Sequence, residues 1–443
     1  MSTRPFLVLL TVTGLCILVG CIRAQNYHPG NSVFHYHYSS KNKNYGSGYF
    51  EDANVTEAYI EFDARGSMYR DRDSRPRQLE AALNEIHNLR FRNRDGRPHP
   101  IALYIFIHGW KNNASEDSNN VWGFRRFLSA VAHYHDDIPV VGLYIGWPGA
   151  SLKNDKFLSF WNREPVADSV GDGELVDAMR SILQAVKGPK YADEDRSIAI
   201  VIGHSFGGIV LERVATKLLR EQLNSLDPNA ASPADLFVLI NEAGAASIAR
   251  PFLFELGDKG VTYNDNDNNP RPLLLSMTST GDAATKFAYA GGEYLSLNRP
   301  NPVSYSPPDR FGQTSSQPYD LLTAANMIAL QSHEVVQKRD GVPCELPIEL
   351  APKLTYCMNA ITKARSGRDR LNNTPYWIMQ LPELFVPDHS SVFQDHLLIL
   401  LRSVACRSNL TICPHQETVS AFARSRVTVP TNANNRPKLS RSR

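Results

Sequence analysis

The chain has 443 residues, 42% hydrophobic and 21% charged, with Lys+Arg 47 against Asp+Glu 45. That balance excludes a fully disordered chain, a collagen-like chain and a multi-span membrane protein. A net charge of +2 argues for neither nucleic acid nor an acidic solvating tail, and six cysteines are too few for a disulfide-built scaffold.

The two ends differ from the body. Arg4 supplies a positive start, and Phe6 to Val19 is apolar apart from Thr11 and Thr13. That length suits a secretory h-region and is short for a membrane span, which needs about 20 residues. Residues 1–24 are therefore expected to be a signal sequence. Leu18-Val19-Gly20-Cys21 resembles a bacterial lipobox, which would make Cys21 a lipidated N-terminus and anchor the chain to the cell envelope. Cleavage after Ala24, giving a secreted protein, is the competing reading. Export would place Cys344, Cys357, Cys406 and Cys413 where disulfides form. Proximity favours Cys344–Cys357 and Cys406–Cys413, one of three connectivities. Residues 25–54 are rich in polar and aromatic residues and read as a linker. His35 and His37 would share one face of an extended segment, but an incidental pair fits better than a metal site. Residues 403–443 read as a Cys-containing segment and a disordered basic tail.

Between 55 and 402 strand and helix patterns alternate. Ala58–Phe62 is a strand candidate, followed by a helix over Gln78–Leu89 with apolar residues at helical spacing. Ile101–Ile107 is a continuous apolar run, as in a strand covered on both faces. A helix over Val121–Tyr134, a strand over Val140–Ile145 and a helix over Glu174–Val186 follow. Next come the strand Ile198–Ile202, a helix over Gly207–Leu219, and the strands Leu236–Ile240 and Leu273–Met277. Tyr376–Met379 is the last strand, and Ser391–Leu401 the last helix. The expected fold is α/β, a mostly parallel sheet with helices on both faces. Such sheets place their sites beyond the carboxyl ends of the strands.

Gly203-His204-Ser205-Phe206-Gly207 joins the strand Ile198–Ile202 to a helix. A Gly-x-Ser-x-Gly in that context is a nucleophile-elbow candidate, with Ser205 as nucleophile. A serine hydroxyl needs a base. Of 13 histidines, His389 is best placed, in the loop after the last strand. His333 and His396 are its rivals, each expected in a helical stretch. Asp282, after Leu273–Met277, is the expected acid that holds the imidazole, and Glu242, after Leu236–Ile240, is the alternative. An oxyanion hole needs two backbone N–H groups. Phe206 should supply one. Trp110 should supply the other, from the loop His108-Gly109-Trp110 after Ile101–Ile107. Trp110, Trp122, Trp147 and Trp161 suit an apolar acyl pocket or ordinary core packing equally well.

The elbow, the His-Gly loop and the chain order Ser205, Asp282, His389 together resemble the α/β-hydrolase superfamily, and within it the serine esterases and lipases. The resemblance covers residues 55–402. It implies an α/β-hydrolase fold and hydrolysis of carboxylic esters through an acyl-serine, with no metal or organic cofactor. A small ester or lipid-like molecule would be the substrate, with no nucleic-acid partner; a lipidated Cys21 would add membrane association. A thioesterase or peptidase would use the same triad. A catalytically silent surface-binding protein on the same scaffold is the reading from another class. One departure is the insertion of residues 283–374, about 90 residues before the last strand, far beyond a usual connection. Helical stretches are expected around Leu321–Val336. The insertion suits either a lid or an ornament on the sheet edge.

Overall fold

The computed structural model describes residues 25–38, 53–92, 97–132, 135, 138–149, 160–187, 197–225, 232–262, 270–289, 304–305, 317–318, 322–361 and 374–407. The expected signal sequence, Cys21, Cys413 and the tail beyond residue 407 lie outside them.

Eight strands form one sheet. They are β1 (Val33–Tyr38), β2 (Ala53–Glu61), β3 (Ala102–Ile107), β4 (Val140–Gly146), β5 (Ile198–His204), β6 (Leu236–Ile240), β7 (Leu274–Ser279) and, at the far edge, Tyr376–Leu381. Their order is β1-β2-β4-β3-β5-β6-β7 and then Tyr376–Leu381. All neighbours pair in parallel except β1 and β2, which are antiparallel. Every residue of β3 to β7 is buried, which is why their sequences are apolar runs rather than alternations.

Seven α-helices accompany the sheet among the described residues: α1 (Arg77–Arg90), α2 (Asn119–Ala132), α3 (Phe160–Asp172), α4 (Leu175–Lys187), α5 (Phe206–Leu223), α6 (Ala246–Asp258) and α7 (Asp395–Arg407). One core packs α1, α3, α4, α5 and α6 against the sheet through residues such as Ile86, Val170, Ile182, Val214 and Leu253. The other face carries α2 and α7 through Phe124, Leu128, Leu397 and Leu401. The molecule is α/β, a mostly parallel sheet with helices on both faces.

Three expectations are corrected, and two helices that the sequence patterns did not announce are added. First, β1 lies inside the segment read as a linker. Phe34 and Tyr36 pack against the second core, while His35 and His37 pair with Thr56 and Asn54 of the neighbouring strand. The added helices, α3 and α6, were hidden because each carries an interior proline, Pro165 and Pro251, which lowers the helical signal. Second, the insertion is not helical over Leu321–Val336. Short 3-10 turns cover Ala324–Asn326 and Ile328–Leu330, and His333–Gln337 is a strand. After two two-residue strands, β8 (Ser304–Tyr305) and β9 (Gln317–Pro318), this strand is β10. With β11 (Leu346–Ala351) and β12 (Leu354–Ala360) it forms an antiparallel sheet in the order β10-β12-β11. Val335, Ile348 and Met358 of that sheet belong to the second core, beside α7. Tyr376–Leu381 is therefore β13. Third, α7 runs to Arg407, so a domain boundary at 402 would cut a helix.

Cys344 and Cys357 form a disulfide, tying the loop after β10 to β12. Cys406 is also disulfide-bonded. Among the described residues, no helix is long and apolar enough to cross a membrane.

The direction of strand addition reverses at β3 and β5. β3 leads to β4 on one side, and β5 leads to β6 on the other. A crevice beyond the carboxyl ends of these two strands is the expected site in such a sheet.

Candidate active site

Both strands at the reversal end in the motifs singled out above. β5 ends at His204, and α5 starts at Phe206, leaving Ser205 alone on the turn. Its backbone has φ 57 and ψ −124, a left-handed conformation that costs an L-residue energy. The surrounding chain holds it there: Ser205 N–H donates to the Ile240 carbonyl, and the Ser205 carbonyl accepts from Gly208 and Ala243. The turn leaves no room for side chains beside it. A Cβ at Gly207 would lie 2.2 Å from the Ile107 carbonyl oxygen, and one at Gly109 would lie 2.7 Å from Ser205 Cβ. The β3 loop and the β5 turn thus approach each other closely because glycine stands at both 109 and 207.

His389 stands in the loop between β13 and α7. Its Nε2 is 2.8 Å from Ser205 Oγ, and its Nδ1 is 2.8 Å from Asp282 Oδ2. An ionised carboxylate can only accept, so Nδ1 carries the proton and Nε2 accepts from the serine hydroxyl. Asp282 is fully buried after β7. Its Oδ1 accepts from the backbone N–H groups of Ala284 and Thr285, and its Oδ2 also accepts from Thr285 Oγ1 at 2.8 Å. Burial raises its pKa. The hydrogen bond and charge of His389, with the Thr285 donors, outweigh that and hold the carboxyl below its ordinary range. The structure thus brings Ser205, His389 and Asp282 into one hydrogen-bonded line.

The loop after β3 runs beside the serine. His108 is fully buried, and burial pushes its pKa down to about 4. The neutral ring accepts from Trp147 N–H at Nε2 and donates from Nδ1 to the Gly109 carbonyl, while Trp147 Nε1–H donates to the His108 carbonyl at 2.7 Å. The two rings stack at 5.4 Å with 6° between their planes. This brace fixes the backbone that leads into Trp110. The Trp110 ring lies 6.3 Å from that of Phe206, and Lys111, at φ 65, sets its ammonium 3.9 Å above the indole. Trp147 serves core packing, Trp122 lies 5.7 Å from the Arg125 guanidinium, and the Trp161 side chain lies outside the description.

The rivals are placed elsewhere. Glu242 is buried behind the elbow, where its carboxyl meets Glu212 of α5; Tyr376 donates to Glu212 as well. Burial and the neighbouring glutamate drive the Glu242 pKa well up. The position that the alternative acid would need at His389 Nδ1 is occupied by Asp282. His333 lies on strand β10 rather than in a helix, stacked 3.8 Å from Trp377. His396 donates from Nδ1 to the Leu384 carbonyl at 3.0 Å. Among the described residues, no cluster of three or more His, Cys, Asp or Glu is arranged to hold a metal.

Three neighbours of the line went unread in the sequence. Thr285 holds Asp282. Asn241, at φ 47, donates from Nδ2 to the Asp388 and His389 carbonyls and accepts Ser279 N–H. His204 Nε2 sits 2.7 Å from the His389 carbonyl oxygen. Thr285 is three residues from Asp282, whereas Asn241 and His204 meet a loop more than 140 residues away, which only the strand order could have announced.

No protein-family model matches the chain, and no curated protein matches it. Among solved structures it is similar to a C6-C4 SN3 inhibited esterase B from Lactobacillus rhamnosis. That similarity has 13% identity over 64% of this chain and 76% of that one, at TM-score 0.21. A structure of the same esterase with a C4-C4 SN3 tributyrin phosphonate gives 12% identity, 64% and 77% coverage and TM-score 0.20. Likeness at these TM-scores carries no argument about this chain.

Proposed function

We propose that the protein is a serine hydrolase of the α/β-hydrolase fold that cleaves carboxylic esters through an acyl-serine. One observation carries the reading: His389 bridges Ser205 Oγ and Asp282 Oδ2, each at 2.8 Å. The chain order Ser205, Asp282, His389, each beyond a parallel strand end, supports the fold assignment.

In this reading Ser205 Oγ attacks the acyl carbon while its proton passes to His389 Nε2. Asp282 stabilises the imidazolium from Nδ1. The N–H groups of Phe206 and Trp110 receive the developing oxyanion, aided by the N-terminus of α5. Collapse releases the alcohol, which takes the proton from His389. Water, deprotonated by the same histidine, then frees the acid and restores Ser205. No cofactor enters these steps.

Export fits the same reading. The apolar stretch Phe6–Val19 and the Cys344–Cys357 disulfide both suit an oxidising compartment. The mass of the mature N-terminus distinguishes a lipidated Cys21, held at the cell envelope, from cleavage after Ala24.

The test is a panel of aryl esters, thioesters and peptides offered to wild type and to Ser205→Ala. Ester turnover that disappears in the variant supports the proposal. Faster acylation by thioesters or peptides reassigns the scissile bond, and no turnover of any class favours a binding protein on this scaffold.

A further inference from the structure

The proposed base has its backbone fixed by a second histidine. His204 is the residue between glycine and serine in the elbow, and its side chain is 3% exposed. Its Nε2 lies 2.7 Å from the carbonyl oxygen of His389, with the ring centroids 5.1 Å apart. A carbonyl only accepts, so His204 Nε2 must carry the proton and donate. Its Nδ1 is then an acceptor, buried without a hydrogen-bond partner among the described residues. The backbone around Gly109 closes over that side: a Cβ there would sit 3.1 Å from Nδ1.

An apolar side chain at position 204 would avoid burying that nitrogen. The sequence instead keeps a polar ring whose one hydrogen bond goes to the His389 backbone. Asn241 Nδ2 approaches the same carbonyl oxygen at 3.3 Å. The two donors come from the ends of neighbouring strands, β5 and β6, so the carbonyl is held from the rigid sheet. The loop from Leu381 to α7 has no strand of its own, and His389 lies near its middle.

We propose that His204 is a positioning residue: its Nε2–H fixes the His389 peptide so that the imidazole Nε2 meets Ser205 Oγ. This rests on the acyl-transfer reading above. His204 acts only as a neutral donor. Burial, reinforced by the charge of His389, pushes its pKa down to about 3, so it stays neutral near pH 7. The elbow thereby carries both the nucleophile and the brace of its base on consecutive residues.

His204→Gln and His204→Asn separate this role from packing. Glutamine presents an amide N–H near the position of Nε2; asparagine is one methylene shorter and cannot reach the carbonyl. Both are purified as the full mature chain and assayed on a short-chain aryl ester. Active sites are titrated to completion with a fluorophosphonate, so that misfolded protein does not count. The expected result is a kcat per titrated site about 10- to 100-fold lower for the asparagine variant, with KM unchanged. The glutamine variant is expected to recover most of that loss. An asparagine variant with wild-type kcat overturns the proposal. So does a glutamine variant as impaired as asparagine, which would assign the ring to packing. Wild type that reacts no faster than Ser205→Ala overturns the acyl-transfer reading itself, and the positioning role falls with it.

Discussion

Asn241, at the end of β6, is hydrogen-bonded across to the loop that carries His389, donating to the Asp388 and His389 carbonyls at 3.2 and 3.3 Å. Its Oδ1 at the same time accepts Ser279 N–H at 2.9 Å, at the end of β7. One amide thus joins two strand ends and the loop that carries His389. Asn241→Ala removes all of these bonds and places alanine at φ 47, where asparagine is tolerated better. We expect kcat to fall about 10- to 100-fold with KM little changed, and the melting temperature to fall as well. Steady-state kinetics beside a thermal melt checks both.

Asp282→Asn tests the acid. The amide can donate to His389 Nδ1 and so favours the wrong tautomer, leaving Nε2 protonated toward Ser205. A loss of about 10⁴-fold in kcat is expected if the residue acts as a triad acid. Retention of more than a tenth of the activity would remove Asp282 from the mechanism.

Glu242→Gln gives the contrasting result. Glu242 and Glu212 meet in the core, and the Glu242 pKa stands well above its ordinary value, first from burial and then from its neighbour's charge. A carboxyl that holds its proton more tightly when folded loses stability as pH rises from about 4.3 through the folded pKa. The stability contributed at Glu242 should therefore be smaller at pH 8 than at pH 5, opposite in sign to that of the buried His108 and His204, whose lowered pKa values favour higher pH. Replacing Glu242 with glutamine should remove that contribution, read from the melting temperatures of variant and wild type at the two pH values, and leave ester turnover near wild type. Loss of turnover would restore Glu242 as a candidate acid.

His28 sets a second pH dependence, at the segment expected to be a linker. Its Nδ1 lies 3.0 Å from Glu61, its Nε2 3.6 Å from Glu116, and its ring stacks 3.9 Å from Tyr59. Burial lowers its pKa, but the two glutamates outweigh that and raise it. The stability this contributes is complete below about pH 6.5 and is lost as pH rises through the raised pKa. His28→Gln should lower the melting temperature at pH 6 more than at pH 9. An equal effect at both pH values would show that the histidine is packed rather than charged.

Some of this was legible in the sequence and some was not, for physical reasons. β3, β5 and β6 are buried on both faces, so their apolar runs showed plainly, and Gly203 and Gly207 marked the strained turn between them. β1 alternates aromatic and histidine residues at the sheet edge, where half the side chains meet water, and its polar flanks made it look like a linker. In the insertion, apolar residues from Leu321 to Val336 imitated helical spacing, whereas the β-branched pair Val335-Val336 belonged to a strand. Glu242 had the right place in the chain order, but the distance to His389 depends on side-chain direction. His204 and Asn241 were hidden because their role is a contact with a loop more than 140 residues away.

The central claim is that Ser205 is a nucleophile activated by His389. The most direct measurement is to treat the folded mature protein with a fluorophosphonate and to map the adduct by peptide mass spectrometry, with and without detergent. The account predicts one adduct, on Ser205, formed by wild type, absent in Ser205→Ala and slowed in Asp282→Asn. A folded wild type that stays unlabelled in both conditions, or carries its adduct on another residue, would contradict it.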